Sequence, residues 1–458
     1  MNRTFLWIGL ALLSGCAPSP LATDADWIPP RALANVPAYR PPVDPPGDGA
    51  ASARLAEPPS GEITLIDAWR LALLLHPALA VDAYSVREAE ARQMQADVMP
   101  NPQIDFRLDD FAGSGQREGF DSANLRVRLT QVIELGDKRA RRVELARADR
   151  ALATWDYEAR RIAVAADVSA RFAALLAAQQ RVLLRSGAVD FAQTMQQVIE
   201  DRIKAGGILP IEREHARVRL AQAKINLEEA KLEREAARGR LASCWNSDRA
   251  TFSAAVGSLE VDRAARVDLD GLLARLADHP QVARFAGEVA QRQAALRVAQ
   301  ADAVSDVTVG VGGRYFREDD DHALLVEFGI PLPIFDRKEG EILEKRFALA
   351  KARSQAELAR ASARDELIQA HRDMSIAQSR ELALRQQMLP SLRSAYDTTQ
   401  AQFKQGLIKL DDMLDAHRDL LKAQMERLDA TRDFHRAAAV LEGLIGQPLS
   451  QVDTAKTP

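Results

Sequence analysis

The sequence predicts a mainly α-helical protein with a membrane β-barrel part, built from two tandem repeats with four β-strands and long coiled-coil helices per chain. Three observations predict this fold class. The dipeptide His76-Pro77 recurs as His279-Pro280 within longer matching segments. Each repeat also contains two short stretches of alternating apolar and polar residues, and a helical stretch far longer than that of an ordinary domain.

Composition excludes several classes of protein. The chain has 458 residues, of which 47% are hydrophobic and 28% charged, with a formal net charge of −4. It is long and apolar enough to form several packed units, so a disordered protein or a small disulfide scaffold is excluded. Because acidic and basic residues balance, we expect no nucleic-acid partner. Two cysteines, Cys16 and Cys244, cannot cross-link a chain of this size.

The first residues have the pattern of a bacterial lipoprotein signal. The short apolar run Phe5–Leu13 leads into Leu13-Ser14-Gly15-Cys16, which resembles a lipobox. We expect residues 1–15 to be a signal peptide and Cys16 to receive several acyl chains, which anchor a protein stably. A plain secretory signal with an incidental cysteine is the alternative. The residue after the cysteine is Ala17 and not aspartate, which implies an outer-membrane destination.

A proline-rich segment follows over residues 16–60. Eleven of the 21 prolines lie between Pro18 and Pro59. Such a composition favours an extended polyproline conformation and cannot form a core. We expect a tether that lies along a surface and links the lipid to the folded body. Beyond it, no apolar run reaches the about 18 residues that a membrane-spanning helix needs.

The folded body is a duplication, with repeat 1 over residues 61–257, repeat 2 over 258–447 and a C-terminal tail over 448–458. Leu71–Met99 matches Leu273–Val304, and Lys204-Ala205-Gly206 matches Lys404-Gln405-Gly406. Each repeat has the same order of predicted elements: a helix, two alternating segments, a very long helix, a break and a returning helix. The spacing between matching segments is much longer than that of a solenoid repeat, so a whole structural unit is duplicated.

The alternating segments predict β-hairpins at about 102–133 and 305–334, each with one apolar and one polar face. The segments have about the length of a tilted transmembrane strand, which faces lipid on one side and a lumen on the other. The charged residues that we expect to face the lumen are Asp105, Arg107, Arg126, Arg128 and Glu327. A soluble hairpin that covers a core shows the same alternation. Four strands cannot close a barrel, so a membrane role requires an oligomer that pools strands.

Two long helical hairpins are predicted, at about 137–246 and 339–445. The long helices run from Asp137 to Ala205 and from Glu339 to Gln405, the second interrupted only by Gly340 and Pro390. At about 1.5 Å per residue, such helices reach roughly 100 Å. The returning helices carry the seven-residue spacing of a coiled-coil seam, at Leu220, Ala223, Leu227, Ala230 and Ala237, and at Leu414, Leu421 and Leu428.

Taken together, these features resemble the TolC-type outer-membrane efflux proteins over residues 61–447. The segments QVIELGDKR (131–139) and PLPIFDRKEG (331–340) lie where a strand meets a long helix, and both resemble the cobalt–zinc–cadmium or copper branch. The resemblance implies a trimer whose twelve strands close one barrel in the outer membrane and whose helices continue it as a periplasmic tunnel. It also implies a periplasmic adapter protein and an inner-membrane, proton-driven resistance-nodulation-division pump as partners.

The resemblance also suggests a gate at the periplasmic tip. Asp412 and Asp415 resemble the aspartate ring at the closed entrance of the family, where carboxylates from three subunits attract cations and repel one another. The first repeat has Glu212 and His215 at the equivalent places, so we expect the gate in the second hairpin. The alternative is that Asp411 and Asp412 cap the N-terminus of the returning helix. The two roles are compatible.

No catalytic or metal-binding constellation is evident. Glu214-His215 lacks the second histidine of a zinc-protease motif, the seven histidines are scattered, and Cys244 has no evident thiolate partner. We therefore predict neither an enzyme nor a bound cofactor or metal. The expected function is an exit duct for heavy-metal cations. The alternatives are the same duct for organic compounds or drugs, and a lipid-anchored periplasmic adapter protein, which would have one hairpin and compact β-domains.

Overall fold

The computed structural model describes residues 27, 30–42, 60–261, 268–278 and 280–451. The described residues form two compact units. The first unit takes in Trp27 with residues 85–154 and 284–357, and the second takes in the described parts of 28–84, 155–283 and 358–458. Each unit therefore combines a part of both repeats. The predicted signal peptide, Cys16 and His279 lie outside the described residues.

Helices dominate the described part of the chain, with six strands between them. In chain order the elements are β1 (Gly61–Ile63), α1 (Leu65–Leu75), α2 (Pro77–Ala96), β2 (Gln103–Asp109), β3 (Asn124–Ile133), α3 (Lys138–Lys204), α4 (Ile211–Ala242), β4 (Phe252–Ala255), α5 (Leu269–Ala274), α6 (Pro280–Asp302), β5 (Val307–Phe316), β6 (Asp321–Gly329), α7 (Glu339–Ala383), α8 (Leu389–Lys404) and α9 (Leu410–Ile445).

The His-Pro dipeptide marks the same helix boundary in both repeats. In repeat 1, α1 ends at Leu75 and α2 begins at Pro77. In repeat 2, α6 begins at Pro280. Proline suits the first position of a helix because its missing N–H would have no intrahelical partner there. The matching segments are therefore two helices each, where the sequence pattern had indicated one.

The first unit contains the four predicted strands in one antiparallel sheet of order β2-β3-β5-β6. Strand β3 of repeat 1 pairs with β5 of repeat 2 along its whole length, from Asn124 opposite Phe316 to Ile133 opposite Val307. The two hairpins are thus joined into one sheet, and β2 and β6 are its edges. The sheet is the part of the fold that depends most on the duplication.

The second unit contains a small parallel sheet that the sequence analysis did not predict. Strand β1 pairs with β4, which lies almost the whole of repeat 1 further along the chain. These strands have only three and four residues, too short for an alternating pattern to stand out. The main apolar cluster of this unit joins α5, α7 and α9 through Leu272, Leu367, Met374, Phe434 and Leu441.

Helix α3 is continuous over 67 residues. An 18-residue window in it reaches a mean hydropathy of 1.4, which by length and composition alone is apolar enough to cross a membrane. The expectation that no such run exists beyond the N-terminus is therefore wrong for α3. Half of that window is buried within the protein, and α3 residues such as Ile162, Val168 and Leu175 are fully buried in the second unit. Its apolar stretch packs against protein.

The second long helix passes Pro390 without a break. A π-helical turn over Leu384–Met388 connects α7 to α8, and the Leu389 N–H donates to the carbonyl of Leu384, five residues back. Proline cannot donate to the helix ladder, so a local π-turn is one way to re-pair the neighbouring backbone groups. Gly340 lies inside the first turn of α7 and does not interrupt it.

The N-terminal segment does more than tether. Within its described part, residues 30–42, Leu33 and Ala34 are buried. The buried guanidinium of Arg161 donates to the carbonyls of Leu33 at 3.2 Å and Ala34 at 2.9 Å, and it also pairs with Glu158 at 2.8 Å. This segment therefore contributes to the core of the second unit, contrary to the expectation from its composition.

Two glycines of β5 allow β3 and β5 to approach closely. A Cβ atom at Gly312 would overlap the carbonyl oxygen of Val127 and lie 2.9 Å from the Cα of Arg128. A Cβ at Gly310 would lie 3.1 Å from the Cγ2 of Thr130. At Gly313, on the opposite face of the same strand, the nearest atom is the Ala323 carbonyl oxygen at 4.0 Å. Gly312 therefore excludes a side chain, Gly310 leaves little room for one, and Gly313 has space.

We expect Gly312→Ala to destabilise the sheet, because the added methyl group forces β3 and β5 apart. Overpacking of this kind costs about 1–3 kcal/mol. The measurement is the temperature at which the purified protein loses the amide I infrared band of its β-sheet, which is resolved from the band of the helices. Gly313→Ala is the matched control and should leave that temperature nearly unchanged. Equal effects of the two substitutions would contradict the close approach seen at Gly312.

Candidate functional site

The sheet of the first unit has a continuous apolar face. Phe106 lies opposite Val127 in β3, and two strands further on Leu324 of β6 continues the same row. Phe106 is 74% exposed and Leu324 is 78% exposed. A contiguous apolar surface of this kind requires lipid or another protein to cover it. The apolar face consists of Ile104, Phe106, Leu108, Leu125, Val127, Leu129, Val309, Val311, Tyr315, Leu324, Val326 and Phe328.

The other, polar face carries a three-residue ion-pair network centred on Arg128. The Arg128 guanidinium pairs with Asp105 on β2 at 3.2 Å and also with Glu327 on β6. Strand β5 lies between β3 and β6, so the side chain of Arg128 must cross it to reach Glu327. Gly310 and Gly312 leave that path open. The network therefore links three strands through charge and depends on two residues without side chains.

Three further arginines lie side by side on the polar face. The strand register places Arg107 opposite Arg126, and Arg126 opposite Arg314. We call these residues the arginine row. Arg314 was not among the predicted lumen charges. The alternation of β5 placed it on the polar face, but only the register shows that it extends a row begun on two other strands.

The turns between the strands differ in the two hairpins. The longer β2–β3 connection is closed by Phe111 stacked on Phe120, with ring centroids 5.5 Å apart. The β5–β6 connection is tight, and Asp320 at φ 53° accepts a hydrogen bond of 2.8 Å from the hydroxyl of Tyr315. Asp321 is the first residue of β6.

At the far end of each helical hairpin, the same glycine turn occurs. Gly206 and Gly406 both adopt a positive φ, at 73° and 77°. The next N–H in each turn, from Gly207 and Leu407, donates to the carbonyl five residues back at 2.9 and 3.0 Å. This is the Schellman arrangement that ends a helix, and it needs a residue that tolerates the left-handed conformation.

The two tips pack against each other within the second unit. Met195 of α3, Phe403 of α8 and Met413 of α9 form a small buried cluster. Arg202 of α3 donates to the carbonyl of Phe403 at 3.1 Å, and its guanidinium lies 4.1 Å from the centroid of the Phe403 ring. The end of the first hairpin is thereby fixed to the end of the second.

The predicted gate residues lie on the first turns of α9. Asp412 accepts a hydrogen bond of 3.2 Å from the N–H of Lys409, so it caps the helix as the alternative interpretation expected. Asp415 pairs with Arg418 at 3.0 Å, and its side chain is 58% exposed. Asp411 points instead to Arg219 on α4, 3.7 Å away. Within one chain, Asp412 and Asp415 are exposed and therefore available to a neighbouring molecule.

A groove of about 390 Å³ lies between α3, α4 and α9. Phe191 and Met195 contribute apolar lining, and Arg219 and Asp415 contribute charge. His417 also lines it, stacked on Phe191 with ring centroids 3.5 Å apart. Burial lowers the pKa of His417 to about 4, so this imidazole is neutral near pH 7. It acts as a packed ring.

The family profile described as "Outer membrane efflux protein" matches residues 68–247 and 274–447, one block in each repeat. The chain belongs to the outer membrane efflux protein family. The predicted family is therefore confirmed. The family consists of outer-membrane efflux channels and is not a family of enzymes.

Two relatives are metal-resistance proteins of Cupriavidus metallidurans. The chain is 29% identical over 388 residues to the cobalt-zinc-cadmium resistance protein CzcC, a match that covers 85% of this chain and 91% of that protein. It is 27% identical over 290 residues to the nickel and cobalt resistance protein CnrC, covering 61% and 66% respectively.

Solved structures of similar fold include a membrane protein from Pseudomonas aeruginosa, with a TM-score of 0.70, 17% identity and coverage of 90% of this chain and 97% of that one. CusC matches with a TM-score of 0.69 at 14% identity, covering 90% and 99%. VceC from Vibrio cholerae matches with a TM-score of 0.70 at 17% identity, covering 84% and 96%. The predicted fold class is confirmed by these matches, and the protein is an outer-membrane efflux protein.

The structure brings together some of the predicted site residues and separates others. Asp105, Arg128 and Glu327 form one network, whereas Arg107 and Arg126 belong to the arginine row. Glu212 and His215, the first-repeat counterparts of the gate residues, pair with each other at 3.5 Å on α4. Among the described residues, no group of three or more His, Cys, Asp or Glu side chains is placed to hold a metal ion.

Cys244 is a structural residue of the second unit. It lies in the short 3₁₀ turn that follows α4, is buried and forms no disulfide. Burial raises the pKa of its thiol to about 11, although the nearby guanidinium of Arg171 partly offsets this effect. A thiol in this state is protonated and unreactive at neutral pH.

The pH dependence of stability should report on His417. Its pKa in the folded protein, about 4, lies below the ordinary value of 6.5, so the unfolded chain binds this proton first and stability falls as the pH drops from about 6.5 towards 4. We expect His417→Gln to reduce that fall, measured as the melting temperature between pH 7 and pH 4.

His215→Gln is the control, because its side chain is 55% exposed on α4, and it should leave the pH dependence as it is. Melting curves of the wild type and His417→Gln that shift in parallel with pH would contradict a buried, neutral His417.

Proposed function

We propose that this protein is the outer-membrane exit duct of a tripartite, proton-driven efflux system that exports heavy-metal cations. The observation that carries the proposal is the sheet, whose exposed apolar face and charged polar face suit a wall between lipid and water. Similarity to CzcC and CnrC, both named as metal-resistance proteins, supports metal cations as the cargo.

The open sheet supports a homotrimer. Strands β2 and β6 are edges, and unpaired backbone groups at an edge have no partner in lipid. If β6 of one subunit pairs with β2 of the next, three chains close a barrel of twelve strands, in the size range of bacterial outer-membrane barrels. In this assembly Asp105, Arg107, Arg126, Arg128 and Glu327 face the lumen.

A second exposed surface also favours assembly. On α4, Ile211, Val218, Ile225 and Leu232 recur every seven residues and are all more than half exposed. A seven-residue apolar repeat is the pattern of a helix that packs against another helix. Of the seam predicted from sequence on this helix, Ala230 and Ala237 are buried inside the chain, and Leu220, Ala223 and Leu227 are half-buried. The exposed row is therefore a second seam, available to another helix.

The proposed mechanism requires no covalent chemistry and no enzymatic activity. The duct is a passive, water-filled conduit, and the energy comes from the inner-membrane pump through the periplasmic adapter protein. Ions must leave such a conduit easily, which agrees with weak, distributed charge along its wall. We propose that acyl chains on Cys16 anchor the N-terminus in the outer membrane, beside the barrel.

We propose that the carboxylates of Asp412 and Asp415 form the periplasmic gate. Both are exposed within one chain, so a threefold assembly can bring them near its axis. The cap that Asp412 provides to α9 is compatible with this role, because a carboxylate has lone pairs for more than one interaction. Repulsion between carboxylates and their affinity for cations would make the opening sensitive to divalent ions.

The membrane role is tested by placing a charge on each face of β6. A strain that lacks the gene should lose tolerance to cobalt, zinc and cadmium, and the wild-type gene should restore it. Val326→Lys, on the apolar face, should fail to restore tolerance because a lysine in lipid costs about 2–4 kcal/mol at mid-membrane.

Leu325→Lys is the matched control, one residue away on the polar face, and should restore tolerance. Equal performance of the two variants would contradict the assignment of faces. Loss of antibiotic tolerance without loss of metal tolerance in the deletion strain would instead identify organic compounds as the cargo.

For the gate, we expect Asp412→Ala combined with Asp415→Ala to raise single-channel conductance by about twofold or more and to weaken block by divalent cations. The measurement is conductance in planar bilayers. Asp411→Ala combined with Asp419→Ala removes the same number of carboxylates from the same helix and should change neither property. Unchanged conductance in the first pair would remove those residues from the gate.

A further inference from the structure

The arginine row is an unusual arrangement of charge. Arg107, Arg126 and Arg314 are direct cross-strand neighbours on adjacent antiparallel strands, where Cα atoms of paired residues lie about 4.5–5.5 Å apart. Like charges directly opposite each other destabilise a sheet. An ion-pairing partner or a bound anion is needed to offset that repulsion.

Carboxylates in the described part of the chain do not supply this compensation. Arg126 has one carboxylate partner, Asp109, at 3.7 Å. Arg314 lies over the ring of Phe316, 4.6 Å from its centroid, and has no ion pair with any residue that the structure describes. Arg107 is exposed and has no ion-pair partner within the described part of the chain. Three guanidinium groups thus share a single, long contact with one carboxylate.

The arginine row also lacks hydrogen-bond acceptors. The Nε–H groups of Arg126 and Arg314 are buried and make no hydrogen bond to any described residue. Buried donors are normally paired, and an unpaired one costs free energy. The neighbouring Arg128 also has a buried, unpaired Nε–H group, but its charge is compensated, because its guanidinium is held between two carboxylates, Asp105 and Glu327. The row therefore has both unneutralised charge and unused donors.

We propose that Arg107, Arg126 and Arg314 form an oxyanion-binding layer on the lumen wall, with phosphate-like and carboxylate ions as its ligands. The planar fork of the guanidinium matches these anions with paired hydrogen bonds. The inference rests on the proposed function, since three subunits that close a barrel would join the three rows into one ring. Rings of arginine select for anions in pores.

The layer has a consequence for export. A free metal cation is disfavoured beside the ring, whereas an anion or a metal ion accompanied by anions is favoured. Anions therefore enter the barrel together with the metal cations. The metal passes the arginine ring accompanied by anions, so that little net charge moves with it. The carboxylates proposed for the gate have the opposite preference, so the two sets of residues can be examined separately.

The test uses the full-length protein in planar bilayers, in potassium chloride gradients at low ionic strength, where the Debye length is about 30 Å at 0.01 M. The readout is the chloride-to-potassium permeability ratio, before and after inorganic phosphate is added. Three proteins are compared: the wild type, a variant with Arg→Gln at positions 107, 126 and 314, and a variant with Arg→Lys at the same positions. Each is also studied with Asp412→Ala and Asp415→Ala, so that tip carboxylates do not set the ratio.

We expect the glutamine variant to lower the permeability ratio by about twofold or more, and the lysine variant, which keeps the charge, to retain it. Phosphate should lower the ratio in the wild type by neutralising the row. It should do so less in the lysine variant, which lacks the planar fork, and not at all in the glutamine variant. Arg107→Gln alone, at an exposed position, should show the same direction of change if the triple variant does not assemble.

The possible failures are distinguishable. If the wild type forms no channels, the proposed function fails and this inference fails with it. If channels form but the wild type and the glutamine variant have the same permeability ratio, only the oxyanion layer is overturned. An equal phosphate effect in the wild type and the glutamine variant would likewise show that phosphate acts elsewhere.

Discussion

The structure depends on one constraint, the need of every backbone N–H and C=O group in lipid for a partner within the protein. Four strands form an open sheet with β2 and β6 as edges, and its apolar face is exposed. One chain therefore cannot satisfy the constraint alone. The alternating pattern of the strands therefore favours assembly. The exposed apolar seam on α4 also favours packing against a helix of another subunit. In the proposed trimer, pairing of β6 with β2 of the next subunit supplies the missing partners.

Both repeats use the same strand and helix hairpins, and their sequences differ at the residues for which a function is proposed. Both hairpin tips end in the same glycine turn, at Gly206 and Gly406, because ending a helix has the same requirement in each. The residues just beyond differ, with Glu212 and His215 in one copy and Asp412 and Asp415 in the other. The strands of the two copies also differ. Gly310 and Gly312 have no side chains, and this lets Arg128 of the first copy reach Glu327 of the second.

Charge is distributed along the proposed conduit without forming a closed binding site. Carboxylates predominate on the first turns of α9 and arginines in one row of the sheet, while the Arg128 network combines one guanidinium with two carboxylates. A conduit benefits from this arrangement, since a tight site would hold the ion that has to leave. Selectivity in such a duct comes from weak fields over many residues. The buried, neutral His417 and the protonated Cys244 belong to packing and contribute nothing to those fields.

Local sequence determined the type of each major element and the face on which its residues lie. The period of two separated Phe106 from Arg107, and the uninterrupted helical pattern predicted α3 almost to the residue, because both signals depend only on neighbours in the chain. The tertiary structure alone decided which residues of different strands meet. The arginine row, the reach of Arg128 across β5, the burial of Leu33 in a proline-rich segment and the short β1–β4 sheet all join residues far apart in sequence. Strand register and long-range packing leave no mark on local periodicity, so no inspection of single segments could have revealed them.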